Sequence, residues 1–415
     1  MSILTIGGVK ATELVRQFKT PLYVYDQSKI EETLDIFINN FQSETFPTQI
    51  IYASKAFQAI QFINLIAEYG LGIDVVSGGE LFVALKSNMP RHLIYFHGNN
   101  KSVAELELAF KSGVEHIICD NFMELEVISR LADQYQQKMN IMLRLNVGIE
   151  AHTHEYVITS HIDSKFGFAW DSDERRKCFE LLDKSPYLIF EGIHAHIGSQ
   201  IFDLTAWYAT IEKLVSYLKT FDRPLVLNIG GGFGIKYTAD DNPIPLDESL
   251  KLLVGYVEEE LLKQNVNISK LMIEPGRSIV GNAGSTLYTI GYQKRTPEKL
   301  YYFIDGGMSD NLRPALYQAK YDCDLANKMD EPKTEKVTIA GKCCESGDVL
   351  IEGCMLPEAK QGDILITYTT GAYGHSMSNQ YNKNLLPSVV MVKEGKAQEV
   401  IRRQTLEDLI TYELF

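Results

Sequence analysis

The sequence predicts an α/β plus β protein: a (β/α)8 TIM-type barrel with a second, mainly β domain of Greek-key-like barrel form. Three observations predict it. Short β-branched runs alternate with amphipathic stretches between residues 48 and 276, each run ends in polar, charged or glycine residues, and after Gly276 the pattern changes to an alternation of period two.

Taken in order, the runs are QIIYAS, GIDVVS, HLIYFHG, HIICD, NIMLRLN, IFEGIHAHI, PLVLNIG and KLMIEPG. Segments such as IQFINLIAEYG and IEKLVSYLKTF carry the 3.6-residue period of the intervening helices. An open doubly wound sheet would alternate in the same way, but eight βα units are the number that closes a barrel. The residues after the runs are Lys55, Ser77 with Gly78, His97 with Asn99, Asp120, Arg144, His196, Gly230 to Gly232, and Glu274 to Arg277. Strand C-termini are where such a barrel carries its site. Beyond Gly276, SIVGNAGSTLYTIGYQ, KLYYFIDGG, EKVTIAGKCC, GDILITYTTGAYG and SVVMVKEGKAQEVIRR read as strands broken by glycine turns. TPLYVYD near the start is strand-like as well. The expected division is therefore a barrel over 26–276 and a β domain built from 1–25 and 277–415.

Composition narrows the function. A chain of 415 residues holds two or three domains at roughly 150 residues each. Lys+Arg 40 against Asp+Glu 54 gives a formal charge of -14, which argues against nucleic acid or an anionic membrane surface as partner. Hydrophobic residues make up 45%, and no apolar run approaches the ~18 residues of a membrane span. MSILTIGGVK lacks the basic and apolar parts of a signal peptide, so the expected location is the cytoplasm. Six cysteines without CxxC spacing argue against a disulfide framework and a zinc ribbon.

Several residues could carry chemistry. Lys55 in IYASKAFQ follows the first barrel strand among apolar and small residues; a partly buried lysine is a Schiff-base nucleophile, while the plainer alternative is a surface lysine opening a helix. LNIGGGFGIKY puts Gly230, Gly231 and Gly232 directly after a strand, where open backbone N–H groups suit a phosphate. Ile235 stands where a dinucleotide fingerprint needs glycine. Glu274 in EPGR is a carboxylate at a strand end that requires a cation, either Arg277 or a protonated ring nitrogen. Lysine, phosphate cradle and carboxylate together point to pyridoxal phosphate. The pairs His152/His154 and His194/His196 could bind metal if each shared a strand face, but no third ligand has clear spacing, so no metal is expected. His196 could instead stack on a flat cofactor. In the second domain Arg313 and Tyr317 of LRPALYQA combine a fork of donors with a hydroxyl, suited to a carboxylate. GKCCESGDV sets the Cys344 thiol, a possible proton donor, beside Glu345, a possible ammonium acceptor.

The combination YASKA, IDVVSGGEL, HGNNKS, HAHIGSQI, IGGGFG, EPGR, LRPALYQA, CCESGDVL and GAYG resembles the diaminopimelate decarboxylases over nearly the whole chain. These are fold-type III, alanine-racemase-like enzymes dependent on pyridoxal 5'-phosphate. The resemblance implies a carboxy-lyase that converts meso-2,6-diaminopimelate to L-lysine and CO2, the last step of lysine biosynthesis by that route. It implies Lys55 as the Schiff-base lysine, His196 stacked on the cofactor ring, Glu274 at the pyridine nitrogen, and Gly231, Gly232, Gly276 and Arg277 around the phosphate. Arg277, Arg313 and Tyr317 would grip the distal carboxylate, Glu345 the distal ammonium, and Tyr373 would touch both cofactor and substrate. Ser199 and Gly78 are further candidates. Cys344 matches the family's proton donor, and the family's homodimer, with shared active sites, brings the CES segment into the neighbouring subunit's site. Cys343 departs from the family pattern and places two thiols side by side.

Three rivals remain: a decarboxylase of the same fold acting on ornithine, arginine or carboxynorspermidine, an alanine-type racemase, and a non-catalytic regulator. Glu345 beside Cys344 favours diaminopimelate over the first. Glu274 opposes the racemase, for which the resemblance implies an arginine at the ring nitrogen. A regulator could lose Lys55 or Cys344 without penalty, and both are present.

Overall fold

The computed structural model describes residues 2–149, 164–170 and 172–414. His152, His154 and Asp163 fall outside the described residues. By contacts the chain forms two compact units, one of Leu34–Gly234 with Pro243–Gly276 and the other of Met1–Thr33, Ile235–Asn242 and Arg277–Phe415. The first division falls inside the helix Gln27–Asn40 rather than before it, and the segment 235–242, expected in the barrel, belongs to the second unit.

The first unit is a closed parallel barrel. Its strands are β1 (Thr48–Ala53), β2 (Gly72–Val75), β3 (Ile94–Phe96), β4 (His116–Cys119), β5 (Met139–Asn146), β6 (Leu188–His194), β7 (Leu225–Asn228) and β8 (Ile268–Ile273). Each pairs in parallel with the next, and β8 returns to β1 through Leu271 to Thr48 and Ile273 to Ile50. All eight apolar runs read from the sequence are barrel strands. The interior is packed rather than open: Ile51, Tyr95, Ile118, Met142, Val226 and Met272, from six different strands, form one buried cluster. Truncating one such side chain to alanine costs about 2–5 kcal/mol, because a parallel strand core refills poorly.

Several of the helices between the strands are fixed at the strand-end loops by side-chain caps. Ser77 accepts from the Glu80 N–H to start Gly78–Leu85, and Asn121 accepts from the Glu124 N–H to start Phe122–Tyr135. Ser102 and Glu105 form a capping box that starts Val103–Lys111. Some polar residues after the strands are thus helix starts, and this is where Ser77 of DVVSGGE works. Among the described residues no helix is long and apolar enough to cross a membrane.

The second unit is built around the long strand Gly284–Arg295. Its first half pairs with Leu22–Asp26 and with Ile364–Thr367, its second half with Leu300–Ile304. Leu22–Asp26 also runs parallel to Ser388–Lys393, which turns at Glu394 and Gly395 into Lys396–Ile401. Glu335–Ala340 and Val349–Leu356 extend the sheet beyond Leu300–Ile304, and Cys323–Leu325 extends it beyond Ile364–Thr367. The run SIVGNAG, expected as strand, instead carries the helix Arg277–Val280 and a turn, and the strand begins at Gly284. Apolar clusters in this unit include one around Tyr288, Tyr302 and Leu365, one around Leu22, Val24 and Val390, and a smaller one of Ile235, Tyr237 and Tyr321.

Candidate active site

The C-terminal ends of the barrel strands gather ionisable groups. Asp74 is the penultimate residue of β2, His97 follows β3, Asp120 follows β4, Arg144 lies in β5, His194 ends β6, Asn228 ends β7 and Glu274 follows β8. At the centre is Glu274, 6% exposed, with its carboxylate surrounded by nitrogen. The Asn228 amide donates to Oε1 at 2.7 Å and the His194 Nε2 pairs with Oε2 at 3.0 Å. His97 Nε2 lies 3.0 Å from Oε1 but off the line of a hydrogen bond, and its ring meets that of His194 edge-on, 5.0 Å between centroids.

Burial works against a charge on Glu274, but the facing imidazoles of His194 and His97 outweigh it and hold its carboxyl well below the usual range. Burial likewise pushes the His194 imidazole down to about 4, so near neutral pH it serves as a neutral N–H donor to a permanent anion. A carboxylate has acceptor capacity for about four hydrogen bonds, so Glu274 can still accept from a protonated ring nitrogen. The buried Asp74 Oδ1, not hydrogen-bonded, is a further polar atom left to a ligand. The residues present fit a pyridine ring.

The glycine turn after β7 is held tightly against this group. Gly230 adopts φ +71, and its N–H donates to the Asn228 carbonyl oxygen Oδ1 at 2.9 Å. A Cβ on Gly231 would fall 2.1 Å from the Glu274 backbone oxygen, so only glycine fits there. The Gly231 N–H donates to His196 Nδ1 at 3.1 Å, which leaves the proton of a neutral His196 on Nε2. Burial, then the Lys55 and Arg144 cations, push the His196 imidazole well below its ordinary value, so it presents a neutral ring.

Two readings that the sequence left open are narrowed. Of the two readings of Lys55, partly buried or at the surface, the structure shows an exposed side chain: in the short turn Ser54–Ala56, Ser54 and Ala56 are buried and the lysine between them is exposed. Its charge nevertheless acts on Asp74 and His196, which places it with the group at the strand ends. His194 and His196 do not act as a pair, because β6 ends at His194; one faces Glu274 and the other the glycine turn. Among the described residues, the histidine cluster that forms is His97 and His194 with Glu274, whose ligand atoms lie within 4.8 Å of one another. Its spacing would also admit a divalent ion, which the sequence did not point to.

Of the other barrel candidates, Gly232 takes φ +119, Gly276 is buried with its added Cβ 2.9 Å from the Ala53 oxygen, and Ser199 is half-buried beyond β6. Gly78 opens its helix with its N–H donating to Glu105 at 2.6 Å.

The second unit holds a different cluster. Arg277 and Arg313, both buried, are set among aromatic rings: Arg277 donates to the Tyr237 hydroxyl and lies 4.8 Å over the Tyr373 ring, and Arg313 donates to the Tyr321 hydroxyl and lies 4.9 Å over Tyr237. Among the described residues no carboxylate is within ion-pair distance of Arg313. Tyr317, half-buried, shares a short helix with Arg313, but the hydroxyl bound to Arg313 is that of Tyr321. Tyr237 and Tyr321 were missed in the sequence. The signal for Tyr321 was its place beyond LRPALY.

The turn 341–348 separates the two adjacent thiols. Cys343 is buried, with its N–H donating to Asp348 at 2.7 Å and its sulfur accepting from Asn384. Burial, then Asp348, push its thiol above the ordinary value. Cys344 and Glu345 are exposed, and the Cys344 N–H donates to Asn382 at 2.7 Å. Of the two thiols, Cys344 is the one open to a reaction.

Comparison with known proteins agrees with this geometry. Residues 27–281 match the pyridoxal-binding domain of pyridoxal-dependent decarboxylases. The diaminopimelate decarboxylase of Bacillus methanolicus is 47% identical over 407 residues, covering 97% of this chain and 94% of that protein. That of Bacillus subtilis is 45% identical over 417 residues, covering 99% and 95%. The crystal structure of diaminopimelate decarboxylase from M. jannaschii in complex with L-lysine superposes with a TM-score of 0.92 at 32% identity, covering 100% of this chain and 96% of that one. With relatives this similar along almost its whole length, and a strand-end carboxylate suited to a pyridine nitrogen, the chain belongs to the diaminopimelate decarboxylase family of pyridoxal-dependent enzymes.

Proposed function

We propose that the protein removes the carboxylate at the D-configured centre of meso-2,6-diaminopimelate to give L-lysine and CO2, as a cytoplasmic homodimer. The observation that carries the substrate is the pair of buried guanidiniums, Arg277 and Arg313, with Arg313 facing phenols instead of a carboxylate. A buried cation without an anionic partner is costly, and a substrate with a second carboxylate relieves that cost.

Bound pyridoxal phosphate supplies an electron sink for the pair left behind when CO2 departs. Lys55 is the amine that holds it, and its exposure leaves that amine within reach of a ligand entering at the strand ends. Glu274 stays anionic and keeps the ring nitrogen protonated, which strengthens the sink. Neutral His196 covers a ring face, oriented by the Gly231 N–H. The backbone N–H groups near Gly231, Gly232 and Gly276, with Arg277 and Ser199, hold the phosphate. Tyr373, under the Arg277 guanidinium, borders cofactor and substrate, and Tyr317 adds a hydroxyl to the carboxylate grip. Cys344 returns the proton to the reacting carbon, a role its exposure supports and the burial of Cys343 does not. Glu345 beside it accepts the distal ammonium, from the neighbouring subunit of the dimer.

The test is to give the purified protein, with pyridoxal phosphate, separate solutions of meso-diaminopimelate, ornithine, arginine and carboxynorspermidine, and to follow CO2 and product amine. Lysine from diaminopimelate alone is expected. Turnover of another substrate would overturn the roles of Arg313 and Glu345, and no turnover at all would favour a regulatory protein. Arg313→Lys should lower kcat/KM for diaminopimelate by about 10- to 100-fold, since a point charge replaces a fork of donors. An unchanged value would remove Arg313 from the carboxylate grip.

A further inference from the structure

We propose that Cys323 and Cys354 are an oxidant-responsive dithiol site in the second unit, closing reversibly as a disulfide when the protein meets a hydroperoxide. Their sulfurs are 3.6 Å apart, with the Cys323 thiol donating to Cys354 Sγ and the Cys354 thiol directed to the Val337 carbonyl oxygen. Closure to a bond of about 2.05 Å requires an approach of only about 1.5 Å. Neither thiol has a part in the decarboxylation.

Their position in the sheet gives the bond a purpose. Cys323–Leu325 pairs with Ile364–Thr367, which pairs with Gly284–Arg295, and from there the ladder continues through Leu300–Ile304 and Glu335–Ala340 to Val349–Leu356. Cys323 and Cys354 therefore sit on the two end strands of one continuous run. Cys323 is part of the apolar cluster around Tyr288, Tyr302 and Leu365, and Cys354 packs against that same cluster. Among the described residues no backbone ladder joins the two end strands. The sulfurs meet across this seam, so a disulfide would close it covalently.

The pair is also graded for reaction. Cys323 is 8% exposed, while Cys354 is half-buried and can be reached by a small oxidant. The hydrogen bond from Cys323, with the Lys333 ammonium nearby, holds the Cys354 thiol below its ordinary value. The Cys354 thiolate attacks hydrogen peroxide: an S–O bond forms, the O–O bond breaks, and the departing hydroxide takes a proton to become water. The Cys323 sulfur then displaces the remaining oxygen, so that S–S forms, S–O breaks, and the thiol proton leaves with that oxygen as a second water. Two thiols lose two electrons and the peroxide gains them. A small dithiol reverses the bond by exchange.

The holoenzyme is treated with hydrogen peroxide, alkylated, and mapped by mass spectrometry with and without dithiothreitol. The expected result is a loss of about 2 Da and one cross-linked peptide pair carrying Cys323 and Cys354, removed by dithiothreitol. Cys354→Ala and Cys323→Ala should each abolish it. The oxidised wild type should melt about 5 °C above the reduced form, because the bond closes the loop between these strands. Oxidation of Cys354 to the sulfinic acid while Cys323 remains open to alkylation would overturn the proposal, as would cross-linking confined to Cys343 and Cys344. If either alanine variant fails to fold, the wild-type peptide map decides by itself.

Discussion

Glu274 remains charged inside a barrel because nitrogen, not water, surrounds it, and one residue shows how the chemistry is divided. Asn228 and His194 supply neutral N–H groups at 2.7 and 3.0 Å, and the acceptor capacity left over is directed at a ligand. Glu274→Gln keeps the shape and removes the anion, so kcat should fall about 100-fold or more while the protein still binds pyridoxal phosphate. A variant with wild-type kcat would show that the carboxylate is not what protonates the ring. Glu274, His196 and the glycine turn could be read in the sequence because each stands directly after an apolar run. His97 and Asn228 also stand there, but nothing in a one-dimensional pattern says that two strands apart in sequence aim their ends at the same carboxylate. The sequence could not choose between a partly buried and an exposed Lys55, since its neighbours Ser54 and Ala56 are buried while it is exposed.

At the level of elements, the ends of β7 and β8 behave as one part. The Glu274 N–H donates to the Gly230 oxygen at 2.9 Å, and the chain at Gly231 approaches the Glu274 oxygen so closely that no Cβ fits. Gly231→Ala should therefore separate these strand ends, weakening cofactor affinity at least about tenfold and lowering the melting temperature, with cofactor binding followed by absorbance titration. Unchanged affinity would mean that the turn has room the geometry denies it. The barrel strands were legible because parallel strands buried on both faces are continuous apolar runs. In the second unit, Val349–Leu356 and Cys323–Leu325 were not identified: the first is interrupted by Glu352 and Gly353, and the second is only three residues long. Ser278–Val280 was misread as strand because a four-residue helix is too short to show a period.

Across the whole molecule, pH acts most visibly through the buried Asp310. Its side chain accepts from the Tyr288 hydroxyl at 2.7 Å and the Gly307 N–H at 3.0 Å, its backbone oxygen accepts from Tyr23, and burial pushes its carboxyl up to about 7 from the ordinary 3.8. Between these values the folded chain holds a proton that the unfolded chain releases. This residue therefore favours the fold fully below about pH 4, and its contribution is lost as the pH rises through about 7. Asp310→Asn does not titrate, so the stability of the wild type relative to that variant should fall between pH 5 and pH 8, measured by urea unfolding at both values. Parallel profiles would show that Asp310 is ionised throughout.

The division of the chain has a consequence for its synthesis. Leu22–Asp26 emerges early, yet its ladder partners, Gly284–Leu287 and Ser388–Val392, are made only after every barrel strand. During translation this apolar strand has both edges open and nothing of its own sheet to pair with, while the barrel can close behind it. A ribosome that stalls late, or a message truncated before residue 388, would release a chain with a finished barrel and one edge of this early apolar strand still bare. Such fragments should be drawn into aggregates or held by chaperones, so the last tenth of the message decides whether the second edge of Leu22–Asp26 is ever covered.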